Sequence, residues 1–466
     1  MTPRVDAALN RILIALAALL AAGDIVLLVR AKYYLTTPGS IVLYGALAPL
    51  AVIGLVLARR LTAERKAAVL LLVCSTWGGL YLLQGLLLVT SEMKLRKSGT
   101  FQEYVRSKGL EFDSRTPSEV LKDMRAAGRD VSLHFGPTFI TSTEGIKTKK
   151  GKIYPLGGMT RREVIFCNEF GKYVLYETDE HGFRNPPGLY EGKGVDAALL
   201  GDSFAEGQCV GDGEDIASHL RAVYPRTLNF GQAGTGALLQ AAIWKEYVEP
   251  LQPKIVLWTF FSNDLAEDMS AEFKNPFLRR YLGDFSQDLL HRRQDVDAAW
   301  RSFYTEAAKI VKKAAVPPVT ESLFGWAQHR AMQKALRCLR FYYLLTYVDG
   351  RYALSVYERR KLEAFLDRFE EMARETESWG GKMYFVYLPE NVFFFNRRAA
   401  DRFRTDVLAG VRERGIPVID IHEVFAASAD PTSYYFMNRS THYNAEGYAV
   451  VAETILKELR QGGKAP

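Results

Sequence analysis

At the N-terminal end of the chain, apolar positions come in long runs. Ile12–Val29, Ser40–Ala58 and Ala67–Val89 each approach or exceed the roughly 18–20 residues needed to cross hydrocarbon. Asp24 interrupts the first run and Pro49 lies inside the second. The pattern predicts about three transmembrane helices within residues 1–92. Asp24 is costly inside a bilayer and is expected near the outer interface, with a polar contact between spans as the alternative. Past residue 190 the pattern changes. Apolar runs of strand length (Val195–Leu200, Thr227–Phe230, Lys254–Phe260, Lys382–Leu388 and Ile416–Ile421) alternate with stretches of helical period. Helices are predicted over 215–223, 237–249, 402–414 and Ala445–Leu459. Ahead of the fourth strand, Leu362, Phe365, Leu366, Phe369 and Met372 fall on one helix face. Such alternation predicts an α/β domain over 191–466, a parallel sheet with helices on both faces.

Residues 93–190 read as a connecting region. Scattered charges and two weakly amphipathic helices occupy 93–130. Lys147, Lys149, Lys150 and Lys152 form a basic loop, read as a solvated turn, with lipid headgroups or an anionic glycan as the alternative contact. Apolar and aromatic runs from Val164 to Tyr176 predict small strands. The polar turn Thr178–Asn185 contains His181, read as a local hydrogen-bond partner rather than a catalytic group. More than 110 residues separate Asp264 from the fourth strand, far beyond a normal crossover. They predict a helical insertion over about 265–380. Its aromatic cluster (Phe341, Tyr342, Tyr343 and Tyr347, among Arg337, Arg340 and Arg351) is either a small core of its own or a lid over the site.

Basic residues orient the apolar runs. Arg59, Arg60, Arg65 and Lys66 mark the loop between the second and third as cytoplasmic. Arg4 and Arg11 agree; Arg30 and Lys32 oppose in smaller number. Everything after the third run is then extracytoplasmic, a multi-pass inner-membrane protein with its C-terminal domain in the periplasm or outside. A cleaved signal peptide is the alternative for the first run and leaves that orientation unchanged. The net charge of +7 lies largely in clusters flanking apolar runs, which suits an anionic membrane surface better than nucleic acid. No nucleic-acid motif is present. Of the four cysteines, Cys74, Cys167, Cys209 and Cys338, no pair has metal-ligand spacing, and no metal or cofactor is expected. Cys167 and Cys209 share the outward part, where an oxidising compartment predicts a disulfide between them. Cys74 lies in the third run, and Cys338 is left as an unpaired thiol.

The chemistry centres on Leu199-Leu200-Gly201-Asp202-Ser203-Phe204. A buried strand ends in a glycine turn that delivers Ser203 at the sheet's carboxyl edge, where open α/β sheets bind ligands. Asn229-Phe230-Gly231-Gln232-Ala233-Gly234 follows the second strand, Ser262-Asn263-Asp264 the third, and His442-Tyr443-Asn444 precedes the last helix. In this order the four stretches resemble the SGNH (GDSL-type) hydrolase superfamily, over roughly the last 275 residues. The resemblance implies a three-layer, flavodoxin-like fold. It implies Ser203 as nucleophile, His442 as general base, and an oxyanion hole from the Ser203 and Gly234 amides and the Asn263 side chain. A serine hydroxyl needs a base to take its proton, and fixed N–H donors stabilise the charge of a tetrahedral intermediate. One element departs from the pattern. The superfamily carries Asp three residues before the histidine, or two in a related pattern; here these are Arg439 and Ser440. A backbone carbonyl or Ser440 could hold the imidazole, or Asp264 or Asp420 could substitute.

The expected protein is a membrane-anchored, extracytoplasmic serine esterase or O-acyltransferase working through an acyl-serine. The resemblance to envelope-tethered members makes an acylated envelope or exported glycan the expected substrate, with polysaccharide machinery as partner. Two alternatives remain: a lipid esterase, and a catalytically silent glycan-binding scaffold, which Arg439 favours.

Overall fold

The computed structural model describes residues 2–29, 41–97, 109, 111–148, 151–192, 194–265, 272–313, 356–391, 394, 397–436 and 442–461. Phe341–Tyr347, Cys338, Arg439, Ser440, Lys149 and Lys150 lie outside them. The chain divides into two compact units, residues 1–101 with 316–360 and residues 102–315 with 361–466.

In the first unit the apolar runs are helices: Pro3–Val29, Ile41–Ala58 and Ala63–Lys97. Ile41–Leu47 is wound as a π-helix that meets the α-helical Ala48–Ala58 at Pro49. Proline has no N–H to return to the preceding turn, and a widened turn accommodates that loss. Leu13, Ala17, Leu55, Ala58 and Leu70 pack together inside, while Leu19, Leu71, Leu72 and Leu82 stand largely exposed. Helices buried on so little of their surface are built for an apolar solvent. All three are long and apolar enough to cross a membrane, which indicates membrane anchoring. Asp24 is buried within this unit, and Asp6 pairs with the nearly buried Lys66 at 2.7 Å.

The second unit holds two small sheets and one large one. Strand β1 (Val131–Leu133) pairs in parallel with β4 (Glu163–Cys167), which pairs antiparallel with β5 (Val174–Glu177). Val120, Val131 and Ile165 form the core beneath this sheet. Strands β2 (Ile146–Thr148) and β3 (Gly151–Ile153) pair antiparallel with Lys147 opposite Lys152, and Lys152 pairs with Glu144 at 2.9 Å. Residues 102–190 thus belong to the same compact unit as the large sheet.

The large sheet consists of β6 (Ala197–Leu200), β7 (Thr227–Asn229), β8 (Ile255–Phe260), β9 (Lys382–Tyr387) and β10 (Val418–Asp420). All are parallel, in the order β7-β6-β8-β9-β10, the flavodoxin-like arrangement. Strands covered on both faces read as continuous apolar runs, and β6 and β8 are buried at every position. On one face Ile216, Leu220, Val451, Ile455 and Leu459 pack down from two helices. On the other, Trp258 meets Phe365 and Phe369 of the Val356–Ser378 helix, edge-on. Among the described residues of the insertion, Arg293–Lys313 and Val356–Ser378 are α-helical, whereas 273–292 is made of turns and two short 3-10 helices. This is the SGNH hydrolase fold, and the order of strands reverses beside β6, whose carboxyl end carries Ser203.

Candidate active site

The turn after β6 is built for one residue type. Gly201 has φ +151°, and a Cβ there would sit 2.0 Å from Thr259 Oγ1. The chain then enters a four-residue helix, Ser203–Glu206, capped by the buried Asp202, which accepts from the Phe204 amide at 2.9 Å. Burial pushes the Asp202 carboxyl above the usual range. The Asn263 side chain also hydrogen-bonds Asp202, which brings the third stretch to the nucleophile's turn.

The second stretch is pressed onto the same helix. A Cβ on Gly231 would lie 2.3 Å from Glu206 N. Gln232 N donates to Gly201 O at 3.1 Å. Two buried carboxylates fix the loop beyond it. Glu206 accepts from Ala233 N at 2.6 Å, and Glu272 from Gly236 N at 2.6 Å. Gly234, between them, has φ +73°, a left-handed conformation that glycine adopts without strain. The other Glu206 oxygen accepts from Tyr176 Oη at 2.8 Å and lies 2.7 Å from His134 Nε2. Burial raises the Glu206 carboxyl, but the His134 imidazole and the hydrogen bonds outweigh it and hold the pKa below the usual value.

His442 closes the constellation. Its Nε2 lies 2.8 Å from Ser203 Oγ, and its Nδ1 lies 2.8 Å from Glu169 Oε1. An ionised carboxylate only accepts hydrogen bonds, so Nδ1 carries the proton toward Glu169. Nε2 is then the acceptor for the serine hydroxyl. The ring also leans on Phe204, with centroids 4.8 Å apart.

The structure therefore joins Ser203 and His442 directly and places the Gly234 and Asn263 stretches on the same turn. It corrects the expectation about the orienting group. Asp264 accepts from Gln240 and from the Phe261 amide, and Asp420 pairs with Arg404 and caps the helix after β10. Neither faces the imidazole, which is held by Glu169, from the turn between β4 and β5. The candidates legible in the sequence, the positions just before His442 together with Asp264 and Asp420, do not include it. One signal was in hand: Cys167 and Cys209 are disulfide-bonded as expected, with Cα atoms 5.6 Å apart. That pairing sets the neighbours of Cys167 beside the turn that follows Ser203. His181 lies apart from this site. It stacks edge-on against Tyr190 and lines a cavity of about 560 Å³ with residues 290–295, and burial lowers its pKa to about 4. Among the described residues no cluster of His, Cys, Asp and Glu is suited to hold a metal.

The sequence profile of the GDSL-like lipase/acylhydrolase family matches residues 199–450, more than half of the chain. This chain belongs to that family. The GDSL hydrolase is also similar to solved structures. A lipolytic protein of the G-D-S-L family from Desulfitobacterium hafniense is 14% identical, covering 56% of this chain and 98% of that one, with a TM-score of 0.31. The lipase/acylhydrolase from Enterococcus faecalis is 12% identical over 57% of this chain and 96% of that one, with a TM-score of 0.32. A variant of an acetyl-xylooligosaccharide esterase from Geobacillus is 14% identical over 57% and 95%, with a TM-score of 0.30. No curated protein matches the chain. Membership of the family makes the protein a hydrolase of the esterase type.

Proposed function

We infer that this GDSL hydrolase is a membrane-anchored serine esterase or O-acyltransferase whose catalytic unit faces the extracytoplasmic side. The observation that carries the reading is the chain of contacts Ser203 Oγ to His442 Nε2 and His442 Nδ1 to Glu169 Oε1, each 2.8 Å. Ser203 Oγ attacks the ester carbonyl as its proton passes to Nε2. The oxyanion is held by the Ser203 and Gly234 amides and the Asn263 side chain, and each such donor is worth roughly a hundredfold to a thousandfold in rate. His442 returns the proton to the leaving alkoxide, and the acyl group stays on Ser203. Water, or a sugar hydroxyl in the transferase case, is deprotonated by the same nitrogen and takes the acyl group, and the proton passes from Nε2 back to Ser203 Oγ as its bond to the acyl carbon breaks. Glu169 keeps the imidazole in the tautomer that these steps need. A carboxylate on the imidazole supports the catalytic reading over a silent scaffold, since it stands where the superfamily's aspartate is absent.

An O-acylated envelope or exported glycan is the proposed substrate class, by resemblance to envelope-tethered members of the superfamily, and the basic residues flanking the apolar helices support the orientation. A fluorophosphonate probe should label the purified full-length chain, and Ser203→Ala should abolish the labelling. Labelling that survives the substitution would refute the nucleophile. A parallel screen of acetyl, longer-chain and glycan esters reads the substrate: a preference for long-chain lipid esters would replace the glycan with a lipid.

A further inference from the structure

We propose that the Cys167–Cys209 disulfide positions Glu169, so that reducing it disengages the carboxylate from His442; this rests on the hydrolase reading above. Glu169 stands in the turn 168–173 that joins β4 to β5. The pairing of these strands is irregular between Ile165 and Cys167 and resumes with the single pair Cys167–Val174 at the base of the turn. Cys167 is the last residue of β4, two positions before Glu169. Cys209 is buried, in a left-handed conformation with φ +65°, just beyond the helix that starts at Ser203. The neighbouring Gln208 amide donates to Ser203 O at 2.9 Å. The cross-link thus ties the turn that carries the acid to the turn that carries the nucleophile.

The other holds on the hairpin tip are non-covalent. Asn168 Nδ2 donates to Asp113 O at 2.7 Å, and Asp113 N donates to Gly171 O at 2.7 Å. Phe170 packs on Phe436. These contacts fix the hairpin tip to residues 111–113 and to the segment before His442, while Phe170 also packs against the core that includes Phe204, and lower on the hairpin Tyr176 Oη donates to Glu206 of the Ser203 helix at 2.8 Å. Glu169 also has a reason to leave. Its Oε2 is buried without a hydrogen-bond partner, whereas a carboxylate in water satisfies both oxygens. Its side chain is already 26% exposed, so little has to move for water to reach it. A docked state that wastes one oxygen persists where a tether limits the alternatives, and a disulfide is such a tether. Opening it takes two electrons from a dithiol. A thiolate attacks one sulfur, a mixed disulfide forms, and the second thiolate closes to a cyclic disulfide, leaving Cys167 and Cys209 as thiols. Displacement of a catalytic group by about 1 Å can cost roughly a hundredfold in rate.

The test uses the full chain in detergent micelles and 4-nitrophenyl acetate, with and without dithiothreitol. Reduction should lower kcat of the natural chain at least about 10-fold at nearly unchanged KM. The double variant Cys167→Ser, Cys209→Ser should be as slow without reductant. Glu169→Gln, already slow, should lose less than about twofold on reduction, because the two changes act through one contact. A reduced chain that keeps its full rate overturns the proposal. So does a Glu169→Gln protein that loses as much as the natural one, or a reduced chain that circular dichroism shows to be unfolded. If the double variant itself unfolds, reduction and reoxidation of the natural chain supply the comparison. A chain that hydrolyses no ester in any arm would refute the hydrolase reading separately. Positioning is then read from the downfield proton resonance of His442 Nδ1–H, expected in the oxidised chain and lost on reduction or in Glu169→Gln. Its persistence in the reduced chain would contradict the proposal.

Discussion

Glu169 and the histidine it faces are 273 positions apart in the chain. Nothing in Asn168-Glu169-Phe170-Gly171 distinguishes it from an ordinary turn, so its role is a product of folding alone. Gly201 is the opposite case, a residue whose necessity could be read from its place after an apolar run. Gly201→Ala should destabilise the catalytic unit by about 3 kcal/mol or more, since the new methyl meets Thr259 and φ stays unfavourable. Urea unfolding of the two proteins measures this. Two buried carboxylates titrate in opposite senses. Burial pushes the Asp179 carboxyl up to about 6, above the usual carboxylate range. Its contribution is complete below about pH 4 and is lost as pH rises through 6. Glu206 is held below the usual glutamate value, so its contribution is complete above that value and is lost as pH falls through the depressed pKa. Unfolding free energies between pH 3 and 7 should show Asp179→Asn removing the first slope and Glu206→Gln the second.

At the level of elements, the nucleophile's helix works as a hub. Glu206 reaches from it to Ala233 in the loop after β7 and to His134 and Tyr176 on the small sheet. The buried Arg184 guanidinium reaches the Gly207 carbonyl at 2.6 Å and the Val210 carbonyl at 2.9 Å. The small sheet is therefore part of the machinery that shapes the site. The strands of the large sheet were legible from periodicity, because burial on both faces forces continuous apolar runs, and the observed ends shift by only a residue or two. The strands β4 and β5 were legible as well. Their function was not, because a contact made by a hairpin tip leaves no period in the sequence. The helix expected over 237–249 is α-helical only to Ile243 and continues as a π-turn over Trp244–Val248, ahead of Pro250. Tertiary packing of Trp244 and Tyr247, both fully buried, overrides the simple helical period there.

For the whole molecule, the site is assembled from stretches at 169, 201–206, 229–236, 262–264 and 442. The parallel sheet brings four of them to one edge, and a hairpin outside the sheet delivers the fifth. A histidine base without a fixed tautomer is a weak base for a serine, so the account stands or falls on that fifth stretch. The most direct measurement is the steady-state hydrolysis of 4-nitrophenyl acetate by Glu169→Gln in the oxidised full-length chain, with its fold verified by circular dichroism. Loss of an orienting carboxylate costs about ten-thousandfold in the serine proteases, and here kcat should fall by at least about a hundredfold while KM stays nearly constant. A Glu169→Gln enzyme that keeps the kcat of the natural chain would contradict the assignment.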